Sequence, residues 1–245
     1  MAPRLVSEDG RWWWDGAQWR SRVVEGDLDL FWFTTSPDWF TRVLVVGLIG
    51  LIPFAGAMNL FGWTLATSDM LRQRWRELPP AGFEYLGRGV APFVVSLVYA
   101  LLGLFVFGGL IAVAVGIWFS DHSQLPIAIA IGGLGLMLMF GWWLLMLFLY
   151  PAILVGADRL GITRALDPRT LWRISRANGG LTLKISAIYF VGVFTLTVIG
   201  STVGAVVPLG SLLVSVALPA VLAMIAPSIA MMVIEPDTKA RDAAV

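Results

Sequence analysis

Three arginines in the second half of the chain have a spacing that could bind anions. Arg169, Arg173 and Arg176 recur at i, i+4 and i+7, so a helix would place them on one face, opposite Leu171 and Ile174. Such a helix would lie along a membrane surface, with its basic face toward anionic lipid headgroups or an acidic partner. Ordinary enrichment of arginine in cytoplasmic loops would explain the same residues.

The flanking sequence predicts the helix that must position these arginines. Asp167 is suited to be its N-cap, and Pro168 suits the first helical position because its missing N–H is not needed there. Asn178 and Gly179 predict where the helix ends.

A second cluster of candidate residues lies near the N-terminus, where residues 11–20 read RWWWDGAQWR. Asp15-Gly16 is typical of a two-residue β-hairpin turn, which would pair Trp12 with Trp19 and place Trp14 on the same face. One hypothesis is a small interaction module that holds a partner or a proline-rich peptide between its rings. The alternative is a hairpin that rests on the membrane interface or on the chain's own cytoplasmic loops.

The first apolar segment, Val43–Thr67, contains a predicted break. Pro53 and Gly56 lie near its middle, and the piece on either side is shorter than the roughly 20 residues of a spanning helix. We therefore expect a re-entrant hairpin or two half-helices; the alternative is a single kinked spanning helix. Asn59, the one amide within the predicted spans, would satisfy broken backbone groups near Pro53 or contact a substrate.

The residue types exclude most enzyme classes. The chain has no cysteine and a single histidine, His122, so disulfides, thiolate sites and multi-histidine metal sites are excluded. The sequence contains no glycine-rich phosphate loop, no Ser/His/Asp set and no paired carboxylates beside an apolar segment. Asp158 and Asp167 are isolated acids among arginines, for which solvated ion pairing is expected. We therefore predict no catalytic residue, no metal, no cofactor and no nucleic-acid partner.

Composition identifies the elements around these residues as membrane helices. Of the 245 residues, 58% are hydrophobic and 13% are charged, about half the charge of a soluble domain. The stretches Val90–Phe119 and Leu125–Val155 each predict one spanning helix, joined by a short polar turn. The uncharged stretch Ile185–Ile234 predicts two more, with a turn within Gly200–Gly210. The predicted fold is an all-α integral membrane protein with four transmembrane helices, a re-entrant or broken first segment and a small N-terminal β-hairpin.

The positions of the basic residues predict the orientation. All 17 lysines and arginines fall within four segments, 1–42, 68–90, 156–184 and 235–245. Cytoplasmic loops are enriched in these residues, so we expect both termini in the cytoplasm of a prokaryotic plasma (inner) membrane. The predicted parts are a Trp-rich cytoplasmic hairpin segment (1–35), a helical membrane domain (36–234) and a cytoplasmic tail (235–245).

Several short motifs resemble one family. Ser-Pro-Asp-Trp precedes the first apolar run, Ile-Pro interrupts it, Leu-Pro follows an arginine-rich segment, and Ala-Leu-Asp precedes an Asn by about eleven residues; these lie at 36–39, 52–53, 78–79, 165–167 and 178. In order and spacing they resemble a family of unknown function among bacterial and archaeal multi-pass membrane proteins, over roughly 36–234. Residues 80–84, where that family usually has a Trp and acids, and Leu166, where it usually has a Phe, depart from its pattern. Residues 11–20 separately resemble a Trp-rich motif of actinobacterial and related membrane proteins. The resemblance implies a helical membrane domain and supplies no substrate.

Two functions are compatible with these features. The first is a non-enzymatic scaffold or accessory subunit of a membrane complex, which would pack through its glycine-rich spans against a protein partner or a second copy. It would present the Trp-rich and Arg-rich surfaces to the cytoplasm. The alternative is a transporter or channel for lipid or another small neutral or apolar molecule, with the break near Pro53 as part of a cavity. No charged residue lies within the predicted spans, which argues against ion coupling.

Overall fold

The chain is mostly helical. The computed structural model describes residues 7–8, 12–14, 19–21, 32–73, 75–120, 122–177, 179–206, 223 and 226–227. Its helices are α1 (Trp39–Ile49), α2 (Ala55–Arg72), α3 (Leu86–Gly103), α4 (Gly109–Ser120), α5 (Leu125–Arg159), α6 (Ile162–Ala165), α7 (Pro168–Ala177) and α8 (Gly179–Val206). The predicted cytoplasmic tail, 235–245, lies outside the described residues.

Two helical units are long and apolar enough to cross a membrane. They cover the two stretches, Val90–Phe119 and Leu125–Val155, for which the sequence predicts one spanning helix each. The first, Leu86–Ser120, joins α3 to α4 through one π-helical turn at Leu104–Gly108, and the second is α5. α4 packs against the first half of α5, and the two form a helical hairpin. At about 1.5 Å per residue, each unit exceeds the roughly 30 Å thickness of a bilayer's hydrocarbon core.

The first apolar segment forms two helices separated by a turn, not one kinked helix. α1 ends at Ile49, and α2 begins at Ala55 after Phe54, whose φ of 59° reverses the chain. The pieces are unequal, since α2 continues past Thr67 to Arg72. Hydroxyls along α2 bond back to carbonyls one turn earlier, as Thr67 Oγ1 does to Trp63 O at 2.8 Å, so these polar residues are accommodated within the helix.

α2 and α3 approach each other closely at two glycines. A Cβ atom on Gly62 would overlap the carbonyl oxygen of Tyr85, and one on Gly89 would overlap the carbonyl oxygen of Met58. Phe54, at the start of α2, stacks edge-on against Phe93 of α3, with ring centroids 6.1 Å apart. The two helices are therefore antiparallel, and small residues set their distance.

The remaining elements pack around one half of α3 and α5. α7 buries Leu171 against α5, and the segment before α3 is held by Leu78, whose N–H donates to Ser36 Oγ at 3.0 Å. α8 runs alongside α5 and continues through Gly200 to Val206, so the predicted turn within Gly200–Gly210 does not begin before Val206. Most of the final predicted span lies outside the described residues. Ala223 and Ala226 are buried in the core cluster that contains Trp32, Trp63 and Leu78.

Two short strands near the N-terminus, Trp12–Trp14 (β1) and Trp19–Ser21 (β2), pair antiparallel. Their register differs from the predicted one. Trp14 lies opposite Trp19, and Trp12 lies opposite Ser21. Four residues, 15–18, therefore separate the strands instead of the two expected from Asp15-Gly16, and these four lie outside the described residues. A longer connection shifts every cross-strand pair.

Candidate functional site

An ion-pair cluster joins three helices where α3 begins and α5 ends. Arg88 of α3 binds Asp158 of α5 with two parallel hydrogen bonds, Nε–Oδ1 and Nη2–Oδ2, both at 2.9 Å. Its remaining Nη1 donates to Asp69 Oδ2 of α2 at 2.5 Å, and Asp69 also pairs with Arg72 at 3.2 Å. We call Asp69, Arg72, Arg88 and Asp158 the charge cluster. Its alternating signs neutralise one another, so it joins helices instead of presenting a net charge to a ligand.

The expected ion pairing of Asp158 is present, but the pair is less exposed to solvent than expected. The Asp158 side chain is only 17% exposed, and that of Arg88 is 32% exposed. The sequence contained one signal for this pair. Arg88 precedes one predicted spanning helix and Asp158 follows the next, so both are predicted on the same side of the membrane. Burial raises the pKa of the nearby Tyr85 phenol, and Glu84 adds to the rise by a hydrogen bond, so Tyr85 stays neutral.

An apolar cavity of about 360 Å³ lies between α2, α3 and α5. Its lining includes Phe61, Ser96, Gly103, Trp142 and Tyr150. Trp142 leans across Gly103, where any side chain would overlap the indole ring, and donates its own N–H to Tyr99 O at 3.2 Å. The cavity adjoins the π-helical turn, an irregularity often found at functional sites. The sequence did not indicate this cavity, because its lining is contributed jointly by three helices, from Phe61 of α2 to Ile153 of α5.

The predicted break residues occupy distinct positions. Pro53 is exposed in the turn before α2, whereas Gly56 is buried, with the backbone of Ile49 and Gly50 close beside it. Asn59 is fully buried in α2, and neither its Nδ2 nor its Oδ1 has a hydrogen-bond partner among the described residues.

The expected bonding of Asn59 to broken backbone groups near Pro53 is therefore wrong. The turn satisfies its own backbone: Ile52 N–H donates to Ile49 O at 3.0 Å, and Gly56 N–H donates to Ile52 O at 2.8 Å. A buried amide without a partner among the described residues is costly.

α7 has the bounds and faces that its sequence predicts. It begins at Pro168, and Asp167 accepts from the N–H groups of Arg169 at 3.1 Å and Thr170 at 3.2 Å. The Thr170 hydroxyl and the Arg169 amide hold the pKa of Asp167 below its usual range, so the cap stays ionised.

The outward face of α7 carries arginine and tryptophan together. Arg169, Arg173 and Arg176 are exposed, and so is Trp172, which lies on the same face and has the Arg176 guanidinium 5.8 Å from its ring centroid. Leu171 is buried on the opposite face. The sequence reading missed Trp172, although its spacing from Arg169 and Arg176 indicated it.

The three candidate tryptophans near the N-terminus lie on β1 and β2. Trp14 and Trp19 meet edge to face with ring centroids 5.6 Å apart, whereas Trp12 pairs with Ser21. Trp12 and Trp19 are exposed by 38% and 48%. In the part of the chain that the structure describes, no three His, Cys, Asp or Glu side chains group as metal ligands. The absence of a metal or cofactor stays a prediction.

The family described as "Protein of unknown function (DUF4013)" matches residues 45–207, about two thirds of the chain. The chain belongs to DUF4013. The matched region is narrower than the 36–234 of the sequence resemblance and excludes the tryptophan strands. No curated protein and no solved structure matches the chain significantly.

The DUF4013 region contains all the sites built by helix packing. Within 45–207 lie the break before α2, the charge cluster, the cavity and α7. These features therefore lie inside the region that the DUF4013 match covers, whereas β1 and β2 precede it. The family description names no activity, so function must be argued from the sites themselves.

Proposed function

We propose that the chain is a multi-pass protein of a prokaryotic inner membrane with four transmembrane helices and both termini in the cytoplasm. The course of its second half supports the last two crossings. α8 starts beside α7 and runs antiparallel to α5, with Ser186 Oγ donating to Leu147 O at 3.0 Å and Phe190 against Trp143. Pro227 O accepts from Trp32 Nε1 at 3.4 Å, back on the side where α3 begins. This position of Pro227 supports a fourth crossing of the membrane after α8.

In the same proposal, the first apolar segment is re-entrant. Its turning point, Phe54, contacts Phe93, which is about 10 Å along the helix from the start of α3 at Leu86. Near the other ends of these helices, Val43 of α1 and Leu71 of α2 lie in one core cluster, and Arg42 donates to Leu78 O in the segment after α2. The segment therefore enters by about a third of the hydrocarbon thickness and returns to the cytoplasmic side. The N-terminal segment, with its proposed small β-hairpin, then lies in the cytoplasm.

Within this topology we propose a non-enzymatic scaffold or accessory subunit of a membrane complex. The observation that carries this function is a groove of about 500 Å³ on α4 and α5, lined in part by Ala114, Trp118 and Gly133. Gly133 is exposed, and a Cβ atom on it would meet no other described atom. In membranes, small residues flanked by large apolar ones let a second helix approach closely. A helix of a protein partner or of a second copy fits this chemistry.

The cytoplasmic surfaces would serve the same function. The outward face of α7 combines three arginines with an exposed tryptophan, a composition suited to anionic lipid headgroups at the interface or to an acidic partner. β1 and β2 would add an aromatic surface through Trp12 and Trp19. The alternative of a transporter or channel for a neutral or apolar molecule has the apolar cavity as its support, and it stays a prediction.

The groove predicts a specific effect on assembly. Protein purified in mild detergent should carry a stoichiometric partner or form a defined homo-oligomer, as measured by light scattering and mass spectrometry. Gly133→Leu should dissociate it by filling the groove, while the protein remains folded because the glycine faces open space. Gly141→Leu is the matched control, because Gly141 is also open on α5 but does not line the groove. A monodisperse monomer without a partner would contradict the proposed function.

A further inference from the structure

The outward face of α7 carries positive charge that the described part of the chain does not neutralise. Arg169, Arg173 and Arg176 are exposed, and none of them forms a salt bridge with an acidic side chain among the described residues. The acid nearest to them in the sequence, Asp167, uses both carboxylate oxygens to cap α7. Three guanidinium groups on one helical face are therefore left to bind an anion.

Trp172 lies within this basic face and connects it to an apolar surface. The Arg176 guanidinium is 5.8 Å from the centroid of the indole ring, and that ring is 5.8 Å from the ring of Phe148 on α5, measured between centroids. Leu144, one helical turn before Phe148 on the same side of α5, is 40% exposed. The surface thus changes from aliphatic to aromatic to basic over a short distance.

α7 packs against the end of α5 that the proposed topology places on the cytoplasmic side. A Cβ atom on Gly156 would lie 3.4 Å from Leu171 Cδ2, and α5 ends soon afterwards at Arg159. Headgroups lie where the apolar part of a spanning helix changes to its charged end, and tryptophan is enriched there. Leu144 lies about 22 Å along α5 from Arg159, toward the hydrocarbon core.

A phospholipid of net negative charge matches this surface. Its phosphodiester offers the oxygens that a guanidinium binds in parallel, and its acyl chains begin close to the phosphate, as the apolar surface begins close to Arg176. A zwitterionic lipid carries a second, positive group that the three arginines repel. An acidic segment of a soluble protein would match the arginines alone. The whole surface therefore favours an anionic phospholipid.

We propose that the outward face of α7 binds one anionic phospholipid of the cytoplasmic leaflet. Its phosphate lies between Arg173 and Arg176, and its acyl chains run along Trp172 and α5. The inference rests on the proposed membrane topology and names the partner of the α7 surface within the proposed function. It does not involve the groove on α4 and α5, through which the scaffold function itself is tested.

The test is native mass spectrometry of the full-length protein in mild detergent, titrated with phosphatidylglycerol or with phosphatidylcholine of the same acyl chains. The unmodified chain should bind phosphatidylglycerol more tightly. Arg176→Gln should reduce this preference by about fivefold, and Arg173→Gln combined with Arg176→Gln should reduce it by about 30-fold, because each cation near the surface contributes a similar attraction. Unchanged preference in the double variant would overturn the proposal.

Arg164→Gln is the matched control, because it removes an equal charge from an exposed arginine of α6, outside the face. It should leave the preference for phosphatidylglycerol within about twofold of the unmodified chain. A loss equal to that of Arg176→Gln would mean that any cytoplasmic charge suffices, and would overturn the proposal. The substituted side chains are exposed, so all these variants should fold.

The mass of the assembly, measured by light scattering in the same samples, separates this inference from the scaffold function. The double arginine variant should keep the assembly of the unmodified chain. Loss of a protein partner in that variant, with the lipid preference retained, would overturn the proposal and assign the face to an acidic protein. Gly133→Leu should keep the lipid preference whether or not it changes the assembly, because Gly133 lies in the groove.

Discussion

Replacing Gly89 by alanine is expected to lower the free energy of unfolding by about 2 kcal/mol, because the added methyl group overlaps backbone and not a movable side chain. The Cβ atom would meet the Met58 carbonyl and the Gly62 amide nitrogen, so α2 and α3 must separate. The loss would be measured as unfolding in mixed detergent micelles.

Gly87→Ala is a control of the same chemistry on the same helix. Gly87 is exposed, and no described atom lies within 4 Å of an added Cβ atom. Alanine has the higher helix propensity, so this variant should be unchanged or more stable by up to about 1 kcal/mol. Equal effects of the two alanines would mean that α2 does not pack on α3 as described.

Replacing Arg88 by alanine should be the second large effect. The substitution leaves Asp158 and Asp69 facing each other without their shared cation. Breaking a buried pair costs about 3–5 kcal/mol. The side chains here are 17–36% exposed, so solvent reduces the expected loss to about 2 kcal/mol. Arg88→Lys should recover part of it, because lysine keeps the charge but cannot donate two parallel bonds to Asp158.

A double-mutant cycle separates this ion pair from a general loss of packing. Asp158→Asn should be destabilising alone but should not further destabilise Arg88→Ala, since it removes the unpaired acid. Arg173→Ala, an exposed arginine of α7, should leave the free energy of unfolding within about 0.5 kcal/mol. Additive effects of Arg88→Ala and Asp158→Asn would contradict the pairing.

Local signals in the sequence were sufficient to predict α5 and α7. The length of an uncharged stretch predicted α5. Asp167 and Pro168 predicted where α7 begins, because helix capping depends only on residues that are neighbours in the sequence. The break before α2 was predictable from Pro53, but the unequal lengths of α1 and α2 were not. The length of a helix depends on which of its residues pack against other elements. In α2, Trp63 and Leu71 both pack into one core cluster.

Contacts between residues far apart in the chain could not be predicted from local signals in the sequence. Arg88 and Asp158 are 70 residues apart, and their contact depends on how α3 and α5 pack. The cavity also depends on tertiary packing, since Phe61 and Trp142 come from distant helices. Asn59 was assigned a hydrogen-bonding role that the turn's own backbone makes unnecessary. The observed pairing of β1 with β2 differs from the predicted one, because Asp15-Gly16 indicated a loop of two residues and four residues separate the strands.

We propose that the first apolar segment returns to the side of the membrane from which it entered, and that every basic segment lies on that side. Because the chain has no cysteine, a single introduced thiol reports its own location. In intact cells, an impermeant maleimide should label Ser123→Cys, between α4 and α5, from outside. Ser21→Cys and Thr163→Cys should react only after the cells are opened. Labelling of Ser21→Cys from outside, with Thr163→Cys protected, would show that the first segment crosses the membrane once and would contradict the account.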